Sequence, residues 1–471
     1  MNSVINDARK GVRFVLVSQI LVLVLGVLKS LLVPVILGVN DFAYWQIYVF
    51  YIAYVGLFTL GFNDGIYLRY GGADYSLLHG AHIRSSIRLY FVYLVVMAGL
   101  MSLVSSAESD PNKRTVLYLA CLNIVLMGLM AIFSFVLQAT GRLRQFGIVN
   151  AIDKILFIVF LLGLVMVGTK SFTWFVLAEL LAKMFALGFM CLSCRELIKG
   201  EGSDWRSAAT EVRDNIACGI KLMFANLSGM LVLGIGRLVI EYWATLEDYA
   251  YYAFGVSMTN LALIALTSIS VVIYPALKRL PPERYLHYYD DTNTKLFKFN
   301  LIMLAAYFPV VWFITYAIPK YAQVIPFLNL LFVVTTLQGK MQLLINNYYK
   351  ALRYEGKMLR ANIESLAVAT VLSVILYFLN RSTWAIAAAA VLTMLYRVYM
   401  SERFLRRTMG GVGGASIMLE LAAYCTFIAI TTAFDYVYAF VVFCLLLGTY
   451  SYYARQEFQE LFKFVMKGQS R

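Results

Sequence analysis

The stretch that decides the fold runs from Ile216 to Phe254 and reads IACGIKLMFANLSGMLVLGIGRLVIEYWATLEDYAYYAF. Its apolar part, residues 216–243, is long enough to cross a bilayer, yet it contains Arg237. A charged side chain at that depth costs about 2.5–3.5 kcal/mol on insertion scales, so it normally faces a partner or a cavity. The stretch therefore predicts a transmembrane helix that carries one buried cation.

A second stretch, residues 12–50, follows the same pattern and contains GVLKSLLVPVILGVNDFAYWQIYVF, with Lys29 at the depth of Arg237. The correspondence rests on two short matches with a one-residue slip between them: Gly26-Val-Leu-Lys29 with Gly234-Ile-Gly-Arg237, and Asp41-Phe-Ala-Tyr44 with Asp248-Tyr-Ala-Tyr251. We interpret the two stretches as one helix-pair unit used twice, each copy placing one cation in the membrane. The alternative is chance similarity among apolar helices.

The composition places the chain in the membrane. Of its 471 residues 61% are hydrophobic and 14% are charged, whereas about 25% of the residues of a soluble domain are charged. Repeated apolar runs of about 20 residues predict a polytopic α-helical protein, because a β-barrel would show short alternating segments instead. The net charge of +14 does not indicate a nucleic-acid partner, since the basic residues flank the apolar runs.

The expected fold is all-α, with about 14 transmembrane helices. The predicted spans are 12–37, 42–62, 83–104, 115–139, 148–167, 172–193, 216–243, 249–274, 296–317, 324–347, 360–379, 384–402, 416–434 and 436–454. Lys and Arg concentrate on one side of these spans, which predicts that both termini are cytoplasmic. The first span is expected to be an uncleaved anchor.

Six spans precede a polar segment and six follow it, so the two halves are expected to share one orientation. We predict an N-lobe of residues 1–200, a cytoplasmic linker of 201–214, a C-lobe of 215–409, and an accessory helix pair with a cytoplasmic tail at 410–471. The two six-helix lobes are expected to enclose a central cavity.

Three cations at membrane depth are the candidate substrate-binding residues: Lys29, Arg237 and Lys340. An Arg or a Lys there suits an anionic head group such as a phosphate or pyrophosphate. Two alternatives remain for Lys29 and Arg237: both side chains reach the outer interface, or Arg237 pairs with Glu241 one turn away. Lys340 has the alternative of pairing with another helix. Glu179 and Lys183, four residues apart, are expected to form a structural ion pair.

Six further residues are candidates for a gate or for the cavity wall: Asp64, Arg69, Tyr48, Tyr51, Glu241 and Gln342. Asp64 and Arg69 follow the second span, where turn formation is the alternative role of Asn63-Asp64-Gly65. The tyrosines belong to a helical-period stripe whose alternative role is packing.

No catalytic or cofactor site is expected. The spacing Cys191-x-x-Cys194 lacks a second pair or a nearby His, so we expect no metal and no redox role. The sequence has no P-loop, and the outer loops are too short for a cluster of catalytic residues. We therefore expect a protein that is not an enzyme and that needs no cofactor.

With these residues in place, the chain resembles polysaccharide flippases of the multidrug/oligosaccharidyl-lipid/polysaccharide exporter superfamily over roughly residues 10–460. The segments that carry the resemblance are Leu37-Gly38, Tyr44-Trp45, Leu60-Gly61-Phe-Asn-Asp-Gly65, Arg237 and Tyr251-Tyr252. Gly236 stands where the family often has Asp, so the resemblance implies no ion-pair gate there.

The resemblance implies a flippase of the bacterial cytoplasmic membrane. Its substrate would be an undecaprenyl-pyrophosphate-linked oligosaccharide, moved from the inner to the outer leaflet by alternating access between two lobes. Membrane lipids, a polysaccharide polymerase and glycosyltransferases are the expected partners. The alternatives are a multidrug/cation antiporter, which would want a carboxylate in the first span where this chain has Lys29, a membrane-embedded glycosyltransferase or polymerase, and a scaffold protein.

Overall fold

The computed structural model describes residues 2–278, 281–411 and 415–453, and these residues form helices without any strand. The chain divides into two compact units, which we call unit 1 (Met1–Leu227) and unit 2 (Ser228–Arg471). Unit 1 holds seven helices and the first part of an eighth: α1 (Asn2–Ile36), α2 (Val39–Ala53), α3 (Phe62–Tyr70), α4 (Ala81–Ser105), α5 (Pro111–Ala139), α6 (Leu143–Val167), α7 (Phe172–Ser193) and α8 (Trp205–Trp243).

Unit 2 begins within α8 and continues through nine more helices. They are α9 (Leu246–Lys278), α10 (Tyr285–Ala305), α11 (Tyr307–Ala317), α12 (Ile325–Lys340), α13 (Asn346–Ala351), α14 (Glu355–Asn380), α15 (Thr383–Thr408), α16 (Ala415–Ala433) and α17 (Tyr436–Tyr453). A π-helical turn, Met341–Ile345, joins α12 to α13.

Local sequence signals explain several helix ends. Asp110 caps α5 by accepting a hydrogen bond from the backbone N–H of Asn112, and Pro111 occupies the first helical position, where its missing N–H costs nothing. The Ser382 side chain caps α15 through the N–H of Ala385. Gly168 ends α6 with a φ of +78°, a conformation that glycine adopts without steric cost.

The all-α multi-pass fold is confirmed. In the described part of the chain ten helices are long and apolar enough to cross a membrane, and three more apolar helices are shorter. Within the described residues, every predicted span lies largely on helical segments. The predicted span 249–274 lies inside α9, although the side chains of residues 264–276 fall outside the described set.

Three predicted spans are interrupted in ways that the hydropathy pattern does not reveal. In the span predicted at 42–62, α2 ends at Ala53 and a short 3-10 helix, Val55–Thr59, follows before α3 begins at Phe62. The span predicted at 296–317 is divided between α10 and α11 at Ala306. Pro309 explains the break, because it donates no hydrogen bond to Ala305 and its ring clashes with that carbonyl group. The span predicted at 324–347 contains the π-helical turn, a type of irregularity that is frequent at functional sites.

Candidate functional site

The first predicted cation, Lys29, forms a buried charge cluster in unit 1. Its Nζ lies 2.9 Å from Oε2 of Glu179 on α7. The other carboxylate oxygen of Glu179 lies 3.1 Å from Nζ of Lys183, one turn further along α7. Glu179 and Lys183 are almost fully buried, whereas the Lys29 side chain is 22% exposed. We call Lys29, Glu179 and Lys183 the lysine triad. The single carboxylate of the triad cannot fully neutralise its two ammonium groups.

Neutral side chains hold Lys183 in place. Its ammonium donates to Oδ1 of Asn123 at 2.9 Å, and Nδ2 of Asn123 donates to the hydroxyl of Tyr48 at 2.9 Å. Asn123 and Tyr48 are completely buried. Tyr48, predicted as a cavity residue, is therefore connected to the triad through Asn123 and presents no open ring face.

Aromatic rings hold Lys29. Its Nζ lies 4.9 Å from the ring centroid of Trp45 and 4.7 Å from that of Phe157, within the range of cation–π attraction. The two rings stack at 5.9 Å. This arrangement stabilises a positive charge at Lys29, whose side chain remains 22% exposed.

A further lysine increases the positive charge around the triad. Lys154 on α6 interacts electrostatically with Lys29 and Glu179, and it pairs with the adjacent Asp153 at 2.8 Å. Three lysines thus face two carboxylates, which leaves a surplus of one positive charge. Because charges interact strongly in a poorly hydrated interior, such a surplus favours an anionic ligand.

The predicted gate residues Asp64 and Arg69 lie on α3, where this helix contacts the first part of α8. Both of these segments belong to unit 1. The Arg69 guanidinium contacts Glu211 at 2.9 Å and Asn215 at 2.8 Å, while the Tyr70 hydroxyl donates to Glu211 at 2.7 Å. Burial, followed by the hydrogen bond to Glu211, raises the pKa of Tyr70. Asp64 is half-buried at the start of α3, and this burial raises the pKa of its carboxyl group.

Glycines bring the two backbones together at this contact. A Cβ atom on Gly65 would collide with the backbone of Asn215, and one on Gly219 would collide with the carbonyl oxygen of Gly61. Gly61 also has a φ of +77°, which favours glycine. We call residues 61–70 and 211–219 together the glycine latch. The structure therefore brings Asp64 and Arg69 together at a tight helix contact, while their function as a gate stays a prediction.

The remaining unit 1 candidate, Tyr51, is half-buried and packs its ring edge-on against Phe50 at 5.7 Å.

In unit 2, Arg237 is half-buried on α8 and interacts electrostatically with the hydroxyl of Tyr252. Gly236 allows the Tyr252 hydroxyl to approach α8 closely, because a Cβ atom at position 236 would lie only 2.9 Å from that hydroxyl. Glu241 is half-buried one turn beyond Arg237. The binding role of Arg237 stays a prediction.

Lys340 is buried at the end of α12, directly before the π-helical turn that contains the half-buried Gln342. Its Nζ lies 2.9 Å from Oε2 of Glu402 on α15 and 2.7 Å from Oε1 of Glu420 on α16. Lys340 therefore pairs with other helices, which was its stated alternative. A direct role in substrate binding stays a prediction.

Sequence reasoning missed four charged residues of these sites, namely Lys154, Glu211, Glu402 and Glu420, and it also missed the separate buried charge of Arg397. Arg397 is buried on α15 and donates to Oδ1 of Asn362 at 2.6 Å. Glu402 ends a predicted span and Glu420 nearly begins one, so both look like interfacial residues. The signal that could have found Arg397 and Glu420 is a charge within an apolar helix.

Comparison with known proteins identifies the fold. No family model and no curated protein sequence matches the chain. Among solved structures, the inward closed conformation of the lipid II flippase MurJ matches with a TM-score of 0.68 and 12% identity, covering 94% of this chain and 99% of that one.

MATE transporters match as well. An inward-facing multidrug resistance MATE family transporter of the MOP superfamily has a TM-score of 0.63 and 12% identity, covering 82% of this chain and 94% of that one. A MATE in complex with MaL6 has a TM-score of 0.58 and 12% identity, covering 86% and 96%. At such identities the likeness concerns the fold. The chain has the fold that these MurJ and MATE structures share.

Proposed function

We propose that the protein is a flippase for an undecaprenyl-pyrophosphate-linked oligosaccharide, which it moves from the inner to the outer leaflet of the bacterial cytoplasmic membrane by alternating access. The observation that carries this proposal is the lysine triad with its neighbour Lys154, a buried cluster with surplus positive charge in unit 1. Both termini are cytoplasmic in this proposal, and the translocated oligosaccharide is used for surface polysaccharide biosynthesis.

The triad suits a pyrophosphate because its lysines differ in accessibility. Lys29 is the more exposed lysine, so the incoming phosphate oxygens bind its ammonium in competition with Glu179. Lys183 stays with Glu179 and Asn123, which prevents the carboxylate from repelling the ligand. Trp45 and Phe157 hold the Lys29 ammonium from the side. Arg237, at the matching sequence position of unit 2, is a second predicted substrate-binding residue.

The fold supports a transporter over an enzyme. One protein with this fold is named a lipid II flippase, and another is named a multidrug resistance MATE family transporter. A cation antiporter needs a carboxylate free to take up its ligand, whereas Glu179 contacts two ammonium groups. The charge of the triad therefore favours an anionic lipid over a cationic drug.

The proposal is tested by complementation of a strain that lacks this gene. We expect Lys29→Ala to reduce surface polysaccharide and Lys29→Ala/Arg237→Ala to abolish it, with membrane abundance of each variant measured in parallel. Lys113→Ala is the matched control, because Lys113 pairs with Glu108 outside the triad. Full restoration of surface polysaccharide by the double variant would remove both cations from the mechanism.

A further inference from the structure

A buried arginine in unit 2 carries a charge that its neighbours do not balance. Arg397 on α15 is 2% exposed. Its guanidinium donates to Oδ1 of Asn362 on α14 at 2.6 Å and to the carbonyl oxygen of Gly229 on α8 at 3.5 Å. Both acceptors are neutral, and in the described part of the chain the guanidinium forms no ion pair with a carboxylate.

The carboxylates on α14 and α15 that lie nearest in sequence to this contact are held by other cations. Glu402 contacts Lys340 at 2.9 Å and Arg406 at 3.0 Å. Glu364 contacts the exposed Arg360 at 2.7 Å. A buried charge without a counter-charge is strongly unfavourable, and a guanidinium does not avoid this cost by losing its proton at neutral pH. The arginine therefore calls for a negative partner.

Hydrogen-bond donors lie along the same face of α15. Thr393 and Ser401 are buried one turn before and one turn after Arg397. Among the described residues, neither these two hydroxyls nor Nε of Arg397 has a hydrogen-bond partner in good geometry. A hydroxyl on a helix commonly donates to the carbonyl group one turn back, as Ser365 does to Ala361 on α14. The hydroxyls of α15 keep their protons available for a ligand.

The surroundings of the guanidinium admit only a small ligand. Gly229 allows α8 to approach closely, because a Cβ atom there would lie 3.1 Å from Nη2 of Arg397 and 3.3 Å from Nδ2 of Asn362. The hydroxyl of Tyr349 lies near both Arg397 and Ser401. All of these side chains are buried, so a phosphate or carboxylate attached to a lipid or a sugar has no access. N–H and O–H donors gathered around one positive charge suit a small anion.

We propose that unit 2 binds one chloride ion at Nε of Arg397, with the hydroxyl of Thr393 or Ser401 as the second donor. Each hydroxyl lies about 6 Å from Arg397 along the helix axis, so an ion between the two groups reaches both. The ion balances the guanidinium that connects α15 to α8 and α14. The site goes beyond the proposed function and depends on no assumption about the carried lipid.

The test is the thermal unfolding of the purified full-length protein in lipid nanodiscs. Sodium gluconate is replaced stepwise by sodium chloride at constant pH and ionic strength. A ligand that binds only the folded state raises the unfolding temperature, and the rise grows with the logarithm of the ligand concentration above the Kd. We expect a rise of a few degrees in chloride, and also in bromide, which has the same charge and a similar size.

Variants assign the effect to the arginine. Arg397→Met should abolish the chloride-dependent rise and should therefore lose less stability in gluconate than in chloride, whereas a purely structural arginine would cost the same in both salts. Thr393→Ala/Ser401→Ala keeps the guanidinium and should shift the response to higher chloride concentrations. Arg360→Gln is the control that should retain the full response, because Arg360 is exposed and paired with Glu364.

Three outcomes would overturn the proposal: a wild-type protein whose stability does not respond to chloride, an equal response in Arg397→Met, or an unchanged response in the hydroxyl double variant. If Arg397→Met does not fold, the hydroxyl double variant decides the result. No lipid substrate is used in this assay, so failure of the flippase proposal and failure of the chloride site appear in different experiments.

Discussion

The substitution Glu179→Gln tests the energetic logic of the lysine triad. It removes the carboxylate that lies 2.9 Å from Lys29 and 3.1 Å from Lys183. Removing one partner of a buried ion pair costs about 3–5 kcal/mol, because the remaining charge is left uncompensated in the interior. The uncompensated charge is most unfavourable at Lys183, whose side chain is 5% exposed. It is less unfavourable at Lys29, whose side chain is 22% exposed. We therefore expect a destabilisation of about 3 kcal/mol.

The double variant Glu179→Gln/Lys183→Met separates charge from packing. It removes both charges of the buried pair, so the uncompensated ammonium of Lys183 that destabilises the single variant is no longer present. Asn123 then loses the ammonium donor to its Oδ1, a loss of about 1–3 kcal/mol. The double variant should still be more stable than the single variant. The Glu364→Gln control should leave the stability nearly unchanged, because Glu364 pairs with the exposed Arg360.

Denaturant or thermal unfolding of the four proteins in the same nanodiscs measures the order of stability. Wild type and Glu364→Gln should be similar, the double variant intermediate, and Glu179→Gln the least stable. The reasoning is refuted if Glu179→Gln is as stable as wild type, or if the double variant is no more stable than Glu179→Gln.

Two further predictions concern other parts of unit 1. Gly219→Ala should destabilise the protein by about 1–3 kcal/mol, because the added methyl group overpacks the glycine latch. Gly188 has open space around it, so Gly188→Ala should leave the stability unchanged or raise it slightly. Unfolding measurements on both variants check this. Burial raises the pKa of Cys194 to about 11, so about 0.1% of its thiol is ionised at pH 8. Maleimide labelling of Cys194 should therefore be slow at pH 7 and accelerate about tenfold per pH unit up to pH 10, and rapid labelling at pH 7 would contradict the buried position.

The fold was predictable because its signals are local. Apolar length and the placement of Lys and Arg depend on neighbouring residues only, so within the described residues every predicted span lies largely on helical segments. The Glu179–Lys183 ion pair was predictable for the same reason, since four residues separate two neighbours on a helix, and it is confirmed.

The partners of the buried charges were not predictable, because tertiary packing selects them. Lys29 pairs with Glu179 across 150 positions of sequence, and Lys340 pairs with Glu402 and Glu420 across 62 and 80. Hydropathy locates each charge along a helix but not the face on which its partner lies. Tyr48 illustrates the same limit, since its helical stripe fitted a cavity wall while packing buries it against Asn123.

The proposed binding of pyrophosphate depends most directly on the positive charge of Lys29. The decisive measurement is the affinity of undecaprenyl pyrophosphate, and of the uncharged undecaprenol, for wild type and Lys29→Met in nanodiscs. Losing one favourable ion contact of about 1.4 kcal/mol weakens binding about tenfold. We predict that loss for the pyrophosphate and no change for undecaprenol; equal affinities of both proteins for the pyrophosphate would contradict the account.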